Sequence, residues 1–353
     1  MPILLLTDLA ANQKALLEKW GVRDFPVTRP DLGDALRVWP PDKIRDTFYH
    51  ASGGRLDLQA LLYNLIWQGY TLIKDGRREP IQGNLRSFWY KDTKSPLAHL
   101  GLLKSEPETV MGMLGSTLVT EEPSFELMAE FSGDPHPSTS AYLCGQMTAA
   151  FDEYVRQGIF RFSDWGFIDD SSHRFVEDGK TKSLAAMSRP NVIFVAEKGG
   201  FMKTAKEIAD TFGCHAICLG GEPKYITSEF FVEEVSKVID PGSTEFLLLM
   251  CVDYDAAGDD IAQQFQKQLG FFGLKRSRIV NIFTLDLLTA EEVAWYKYPL
   301  PMNTKTRITL ANNWVAKTGG INGEPYGIES DVVPRARILQ RIDSVLKQER
   351  IHA

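Results

Sequence analysis

From about residue 190 onward, short β-branched or apolar runs alternate with longer amphipathic segments, and this alternation constrains the chain more than any other feature. Residues 192–196, 216–219, 246–252 and 280–283 read as strands, and residues 201–212, 227–238 and 259–269 as helices. Strands separated by helices at this spacing predict a parallel α/β sheet.

The first third has a different texture. Residues 9–20 carry apolar side chains at helical spacing, Pro40-Pro41-Asp42 opens a helix over 44–51, and residues 56–67 form an amphipathic stretch closed by Gly69. The period then changes. Tyr70-Thr71-Leu72-Ile73 reads as a strand, Lys74-Asp75-Gly76-Arg77 as a tight turn, and Pro80-Ile81 as the end of a return strand. Helices followed by a small hairpin with basic residues at its tip describe a winged helix, a variant of the helix-turn-helix plan for nucleic acid. They describe a generic helical domain with a surface hairpin equally well. On the first reading Lys74, Arg77 and Arg78 contact the phosphate backbone; on the second they are a solvated turn. Residues 120–140 are rich in Pro, Ser, Thr, Glu and Gly, as a linker is, and residues 169–190 form a second polar break. The expected organisation is therefore a helical, winged-helix domain over 1–120, a connecting segment over 121–190 and an α/β domain over 191–353.

A length of 353 residues suits two domains, and the 44% hydrophobic and 24% charged shares are ordinary for a globular chain. The longest apolar run, 246–252, fits a buried strand and falls far short of the roughly 20 residues that span a bilayer. The opening MPILLLTDLAANQK has no basic region before its apolar run, so no secretory leader is read and a cytoplasmic location without membrane contact is expected. Cys144, Cys214, Cys218 and Cys251 have no zinc spacing and read as buried thiols. A net charge of −7 argues against nonspecific coating of nucleic acid, which rests on many Lys and Arg contacts. It leaves room for an enzyme that holds DNA locally.

Three carboxylates stand where an α/β sheet places its chemistry. Glu197 follows the run NVIFVA directly, and Asp253 and Asp255 follow FLLLMCV in Asp253-Tyr254-Asp255. Ligand sites in parallel sheets lie beyond the carboxyl ends of the strands. Residues i and i+2 on extended chain point the same way, so both aspartates are expected to converge on one hard cation, for which Mg²⁺ is the natural choice. Gly199-Gly200 and Gly258 allow close approach of backbone around them.

VIFVAEKGGF, the turn in LGGEPKYITSEFF, and LLLMCVDYDAAGDDI together resemble the toprim domain. The particular resemblance is to the A subunit of type IIB DNA topoisomerase (topoisomerase VI) and its meiotic double-strand-break relative. Glu197, Lys198, Gly221, Pro223, Thr227, Val252, Asp253, Asp255 and Gly258 match that family's positions, over about residues 190–275. GGINGEPYGIESDVVPR resembles its C-terminal part less specifically. Ala256-Ala257 replaces the family's aromatic-Gly step, and Ser228 stands where an Arg is usual.

The resemblance implies a Rossmann-like toprim sheet preceded by a winged helix, with Glu197, Asp253 and Asp255 holding Mg²⁺. It also implies a tyrosine that attacks double-stranded DNA and becomes joined to the 5′ phosphate. In the family this tyrosine lies in a pattern like Arg-x-x-aromatic-Tyr, present here at Arg45–Tyr49 and again at Arg86–Tyr90. Tyr90 lies 107 residues before Glu197 and Tyr49 lies 148 before it. The shorter spacing, the position after the proposed wing, and Arg86 one turn away favour Tyr90 over Tyr49. The family works as a homodimer with an ATPase partner of the GHKL type, and no Walker A motif occurs in this chain. Two other readings share the residues: a toprim nuclease that hydrolyses DNA without a covalent tyrosine, like those of SMC-type plasmid defence, and a non-catalytic DNA-binding subunit.

Overall fold

The computed structural model describes residues 5–24, 32–36, 38–48, 57–81, 83–100, 102–103, 140–167, 176–177, 180–181 and 188–349. The chain divides into two compact units, Met1–Ile168 and Asp169–Ala353. Among the described residues no helix is long and apolar enough to cross a membrane.

The described part of the first unit is helical: α1 (Ala11–Lys19), α2 (Leu32–Leu36), α3 (Pro41–Phe48), α4 (Leu58–Lys74), α5 (Leu85–Phe88), α6 (Lys94–His99) and α7 (Ser140–Arg156). Helix α4 is its axis. Asp57 caps it by accepting from the Ala60 N–H at 2.9 Å. Every residue from Ala60 to Leu72 is buried, which requires neighbours on all sides of the helix. Those neighbours are largely aromatic. Trp20 stacks on Tyr63 at 4.4 Å, Tyr70 meets Phe160 at 4.8 Å, and Phe88 and Phe151 lie edge-on to Trp165 at 5.3 and 5.0 Å. From α7 the buried Tyr154 hydroxyl donates to the Tyr63 carbonyl at 2.8 Å, satisfying the one polar atom of that ring.

Two expectations are corrected here. Residues 70–73 are not a strand; they complete α4, and no hairpin forms over 70–81. The β-type local preference of Tyr-Thr-Leu-Ile loses to burial against Phe160 and Trp165. Gly69 does not stop the helix. A Cβ there would lie 3.0 Å from the Trp165 ring and 3.3 Å from that of Phe88, so its bare backbone is the surface on which those rings rest. The winged-helix reading thus loses the hairpin on which it stood. The second correction concerns residues 140–167, expected within the connecting segment 121–190. They belong to the first unit and supply α7, Phe160 and Trp165 to its core. Residues 104–139 lie outside the described residues.

The second unit carries the expected α/β alternation. A short antiparallel pair, β1 (Val176–Glu177) and β2 (Lys180–Thr181), precedes β3 (Arg189–Ala196), β4 (Cys214–Cys218), β5 (Glu245–Cys251) and β6 (Arg276–Asn281). The last four form one parallel sheet in the order β4-β3-β5-β6. Helices α8 (Met202–Phe212), α9 (Tyr225–Ser236) and α10 (Ala256–Phe271) are the crossovers. Val192, Phe194 and Ala196 face α8 on one side of the sheet, while Ile193 and Val195 face α9 and α10 on the other. From β3 the chain steps outward to β4 over one face, then returns across β3 to β5 over the opposite face. Uniform right-handed crossovers demand that change of face.

Beyond the sheet follow α11 (Ala290–Tyr296), β7 (Tyr298–Pro299), α12 (Lys305–Thr318), β8 (Tyr326–Gly327) and α13 (Arg335–Gln348). Helix α13 packs on the α8 face through Ile338, Ile342, Val345 and Leu346. The β7–β8 pair and the bridge between Tyr254 and Ile328 lay this segment against the carboxyl end of β5. Cys214, Cys218 and Cys251 are buried free thiols as expected, and burial pushes the first two up to about 12. Cys144 is partly exposed.

Replacing Gly69 by Val should lower the unfolding free energy by about 2 kcal/mol or more, because two fully buried rings must yield; an unchanged denaturant midpoint would refute the packing role assigned to this glycine. A second outcome follows from His215, buried in β4 edge-on to Phe231 at 6.1 Å. Burial holds its imidazole at about 4, below the ordinary 6.5. The neutral ring's contribution is therefore complete above pH 6.5 and is lost as pH falls towards 4. His215→Leu should remove on the order of 3 kcal/mol of that acid sensitivity, read as the pH dependence of the difference in unfolding free energy between wild type and variant.

Candidate functional site

The sheet order determines where a ligand crevice opens. The connection after β3 runs outward to β4 and the one after β5 runs outward to β6, so the crossovers diverge above the carboxyl ends of β3 and β5. Such a switch point is where open α/β sheets bind ligands. Glu197 is the first residue past β3, and Asp253 and Asp255 lie just past β5. The parallel register pairs Ala196 with Cys251, and the Glu197 N–H continues the ladder by donating to the Cys251 carbonyl at 3.2 Å. The three acids expected from sequence are therefore at one end of two neighbouring strands.

Each carboxylate has protein partners. Glu197 Oε2 accepts from the Asp253 N–H at 3.0 Å. Asp253 Oδ1 accepts from both the N–H and the hydroxyl of Ser330 at 2.7 Å, and its Oδ2 lies 3.1 Å from Lys198 Nζ. Asp255 caps α10 by accepting from the Gly258 N–H at 2.7 Å, and its other oxygen accepts from the Tyr298 hydroxyl at 2.8 Å. The expected convergence of Asp253 and Asp255 is thus only partial: they share an edge but turn to different donors. Among the described residues, no three His, Cys, Asp or Glu side chains are clustered tightly enough to hold an ion as they stand.

Lys198 occupies the centre of the arrangement. Its ammonium bonds Glu329, approaches Asp253, and lies 3.5 Å from Asp331. Burial pulls this amine down, but the Glu329 hydrogen bond and the Asp253 charge outweigh it and raise it above the usual lysine range. Burial also raises the Glu197 carboxyl, with the charges of Asp253 and Asp255 adding to the rise and the Asp253 N–H opposing it. Burial and the bond to Asp255 raise the Tyr298 phenol, which stays a donor. The charges of both aspartates therefore act against ionisation of Glu197. The donor set is hard oxygen with excess negative charge, the chemistry that suits Mg²⁺.

Sequence reading noted Lys198 only as a motif match and missed Tyr298, Ser330, Glu329 and Asp331. The one available signal was the acidic Glu329-Ser330-Asp331 step inside the C-terminal segment that resembles the family.

The remaining expected residues are in the first unit. Tyr90 is 60% exposed on a π turn, Trp89–Thr93, between α5 and α6, while Phe88 and Trp89 before it are buried. Arg86 is exposed, and Lys94 Nζ lies 5.4 Å from the Tyr90 ring. Tyr49 lies outside the described residues. Lys74, Arg77 and Arg78 are not at a hairpin tip. They end α4 and its following turn, where each meets a carboxylate: Asp164 at 2.8 Å, Asp75 at 2.6 Å and Asp92 at 2.6 Å. Charges so neutralised contribute little to binding phosphate.

Gly258 is the tightest point of the site. A Cβ there would lie 2.2 Å from the Asp253 carbonyl oxygen, which no L side chain permits without moving the Asp253–Asp255 loop. Gly258→Ala should keep the sheet, read by circular dichroism, yet displace both aspartates; a crystal structure of the variant with the Asp253–Asp255 loop unmoved would contradict this. Compared with known proteins, the chain matches no family model and none of the curated proteins.

Proposed function

We propose that this chain cleaves and rejoins double-stranded DNA in a Mg²⁺-dependent reaction, at a toprim-type centre made by Glu197, Asp253 and Asp255. The observation that carries the reading is the position of these acids at the carboxyl ends of adjacent parallel strands, at the sheet's switch point. Glu197 and the two aspartates would hold the ion; when bound, Mg²⁺ would offset charge on the phosphate under attack. Tyr298 and Gly258 orient Asp255, and Ser330 orients Asp253, so the ligand carboxylates are held by donors of their own.

Tyr90 is the proposed attacking group, and its exposure suits that role. Its phenol oxygen forms a bond to phosphorus as the bond to the 3′ oxygen breaks, giving a 5′-phosphotyrosyl link and a free 3′ hydroxyl. The phenol proton passes to solvent or a nearby base, and the departing 3′ oxygen gains one. Attack by that 3′ hydroxyl reverses the step and rejoins the strand. Arg86, exposed one turn before Tyr90, would meet the phosphate. In this reading two copies act together, each tyrosine serving its partner's acids, and a separate GHKL-type ATPase drives strand passage on the DNA of the cytoplasmic nucleoid.

One observation favours a second reading, hydrolysis by water without a protein-linked step. The missing hairpin removes the positional support for Tyr90, whereas the acid centre does not depend on it.

Supercoiled DNA incubated with the chain and Mg²⁺, with and without protease before electrophoresis, separates the two. Protein-linked ends that disappear in Tyr90→Phe identify the tyrosine route. Free ends, unaffected by Tyr90→Phe, identify hydrolysis. Asp253→Asn keeps an acceptor for Ser330 and should abolish both, at least a hundredfold; wild-type cleavage by this variant would sink the acid centre. Tyr90→Phe removes an exposed hydroxyl only, so its stability should stay within about 0.5 kcal/mol of wild type.

A further inference from the structure

We infer that the exposed face running from Trp295 to Arg307 is a docking surface for a single DNA strand, with Lys297, Lys305 and Arg307 meeting phosphates and Trp295 stacking on an unpaired base. The inference deepens the proposed function and rests on it for the substrate being DNA; the strand meant is an unpaired stretch of the duplex on which the acid centre is proposed to act.

Charge is the first support. The chain carries a net −7, yet between Glu292 and Glu324 it has four cations and no carboxylate. Lys317 is taken by Asp259 at 2.7 Å. The other three are exposed, and among the described residues none has an ion pair with a carboxylate. Lys297 Nζ lies 4.9 Å from the Tyr326 ring, and Arg307 donates to the Asn303 side chain at 3.0 Å. Lys305 borders an open cleft of about 540 Å³ with Thr306, Thr309, Asn313 and a single acid, Asp260.

The second support is that folding does not account for this surface. Trp295 is 83% exposed and Tyr296 40%, and α11 buries none of its residues. Lys305 and Arg307 stand in the first turn of α12, which has no acidic residue, where the helix dipole already presents positive charge. Cations there oppose the helix and favour an approaching anion. Exposed aromatic rings interleaved with cations are how sequence-tolerant single-strand sites are built.

Position is the third. Tyr298, next to Lys297, donates its hydroxyl to Asp255 at 2.8 Å, so the face leads directly to the acid centre. A second copy of the chain is a poorer occupant. A two-fold contact brings the same patch against itself, which here sets cations against cations.

The test is anisotropy of a labelled single-stranded oligonucleotide titrated with the whole chain in EDTA, at several KCl concentrations. Trp295→Ala should weaken binding about tenfold, in line with the loss of one stacked base. Lys297→Ala/Lys305→Ala/Arg307→Ala together should reduce the slope of log K against log salt by about 2, at ~0.7 per phosphate contact. Both variants should melt as wild type does. Wild-type affinity and salt slope in both would overturn the inference, as would variants that lose self-association in sedimentation while binding DNA normally. Because no Mg²⁺ is present, binding is scored apart from cleavage. Loss of binding in these variants, in a chain that cuts no DNA under any condition, would defeat the cleavage reading and leave the docking surface standing.

Discussion

Mutual repulsion among carboxylates at the carboxyl edge of β3 and β5 is the condition to which the second unit answers. Together with burial, the charges of Asp253 and Asp255 raise the Glu197 carboxyl. Glu197, Asp253 and Asp255 cannot relax by sliding apart, because the parallel register from Val192 to Ala196 against Leu247 to Cys251 fixes the ends of their strands. Compensation has to come to them. It arrives as one ammonium, Lys198, and as a set of donors: the Asp253 and Gly258 N–H groups, both donors of Ser330, and the Tyr298 hydroxyl. Two of these residues lie in the segment after α11. That segment is consequently part of the site, and the Tyr254–Ile328 bridge is what holds it there.

The same balance bears on the proposed chemistry. Lys198 also draws in Glu329 and Asp331, so one ammonium is shared among carboxylates from β5 and from the C-terminal segment. A divalent ion brings twice the charge of the ammonium and accepts hard oxygen ligands that an ammonium can only hydrogen-bond. An ion entering between Glu197 and Asp253 would compete with Lys198 for Asp253, and the lysine would keep Glu329 and Asp331 as its own partners. Lys198 in this view is a positioning residue that holds the acidic edge together when no ion is bound.

How much of this was legible in the sequence divides along physical lines. The parallel sheet was legible because each strand is a short apolar run with few other uses, and because acids placed right after such runs have few places to go but the sheet edge. The 70–81 hairpin was misread because Tyr-Thr-Leu-Ile has a local strand preference that tertiary burial overrode; Gly69, taken for a stop, is a contact surface for Trp165. The partners of the acids were illegible for another reason. Tyr298, Ser330 and Glu329 lie 43, 77 and 131 residues from the side chains they bond, and no local pattern encodes pairings at that range. The helix at Ser140–Arg156 was lost beside a Pro- and Ser-rich stretch whose composition was extended too far along the chain.

Where basic charge is free to act also differs from its distribution in sequence. Lys74, Arg77 and Arg78 form the densest basic cluster of the first unit's turn, and all three are neutralised by aspartates. Lys297, Lys305 and Arg307 are thinly spread, yet among the described residues none of them is ion-paired to a carboxylate, and two exposed aromatic rings, Trp295 and Tyr296, lie in the same segment. A chain with net −7 cannot rely on bulk attraction to nucleic acid, so uncompensated cations matter more than their number. On that criterion, among the described residues, the segment from Trp295 to Arg307 is better able to meet a phosphate backbone than the turn after α4, and it also supplies the Tyr298 hydroxyl to Asp255. On the proposed reading, substrate contact and acid orientation then depend on one stretch of chain, and a strand bound along it would lie beside the Asp255 carboxylate that Tyr298 holds.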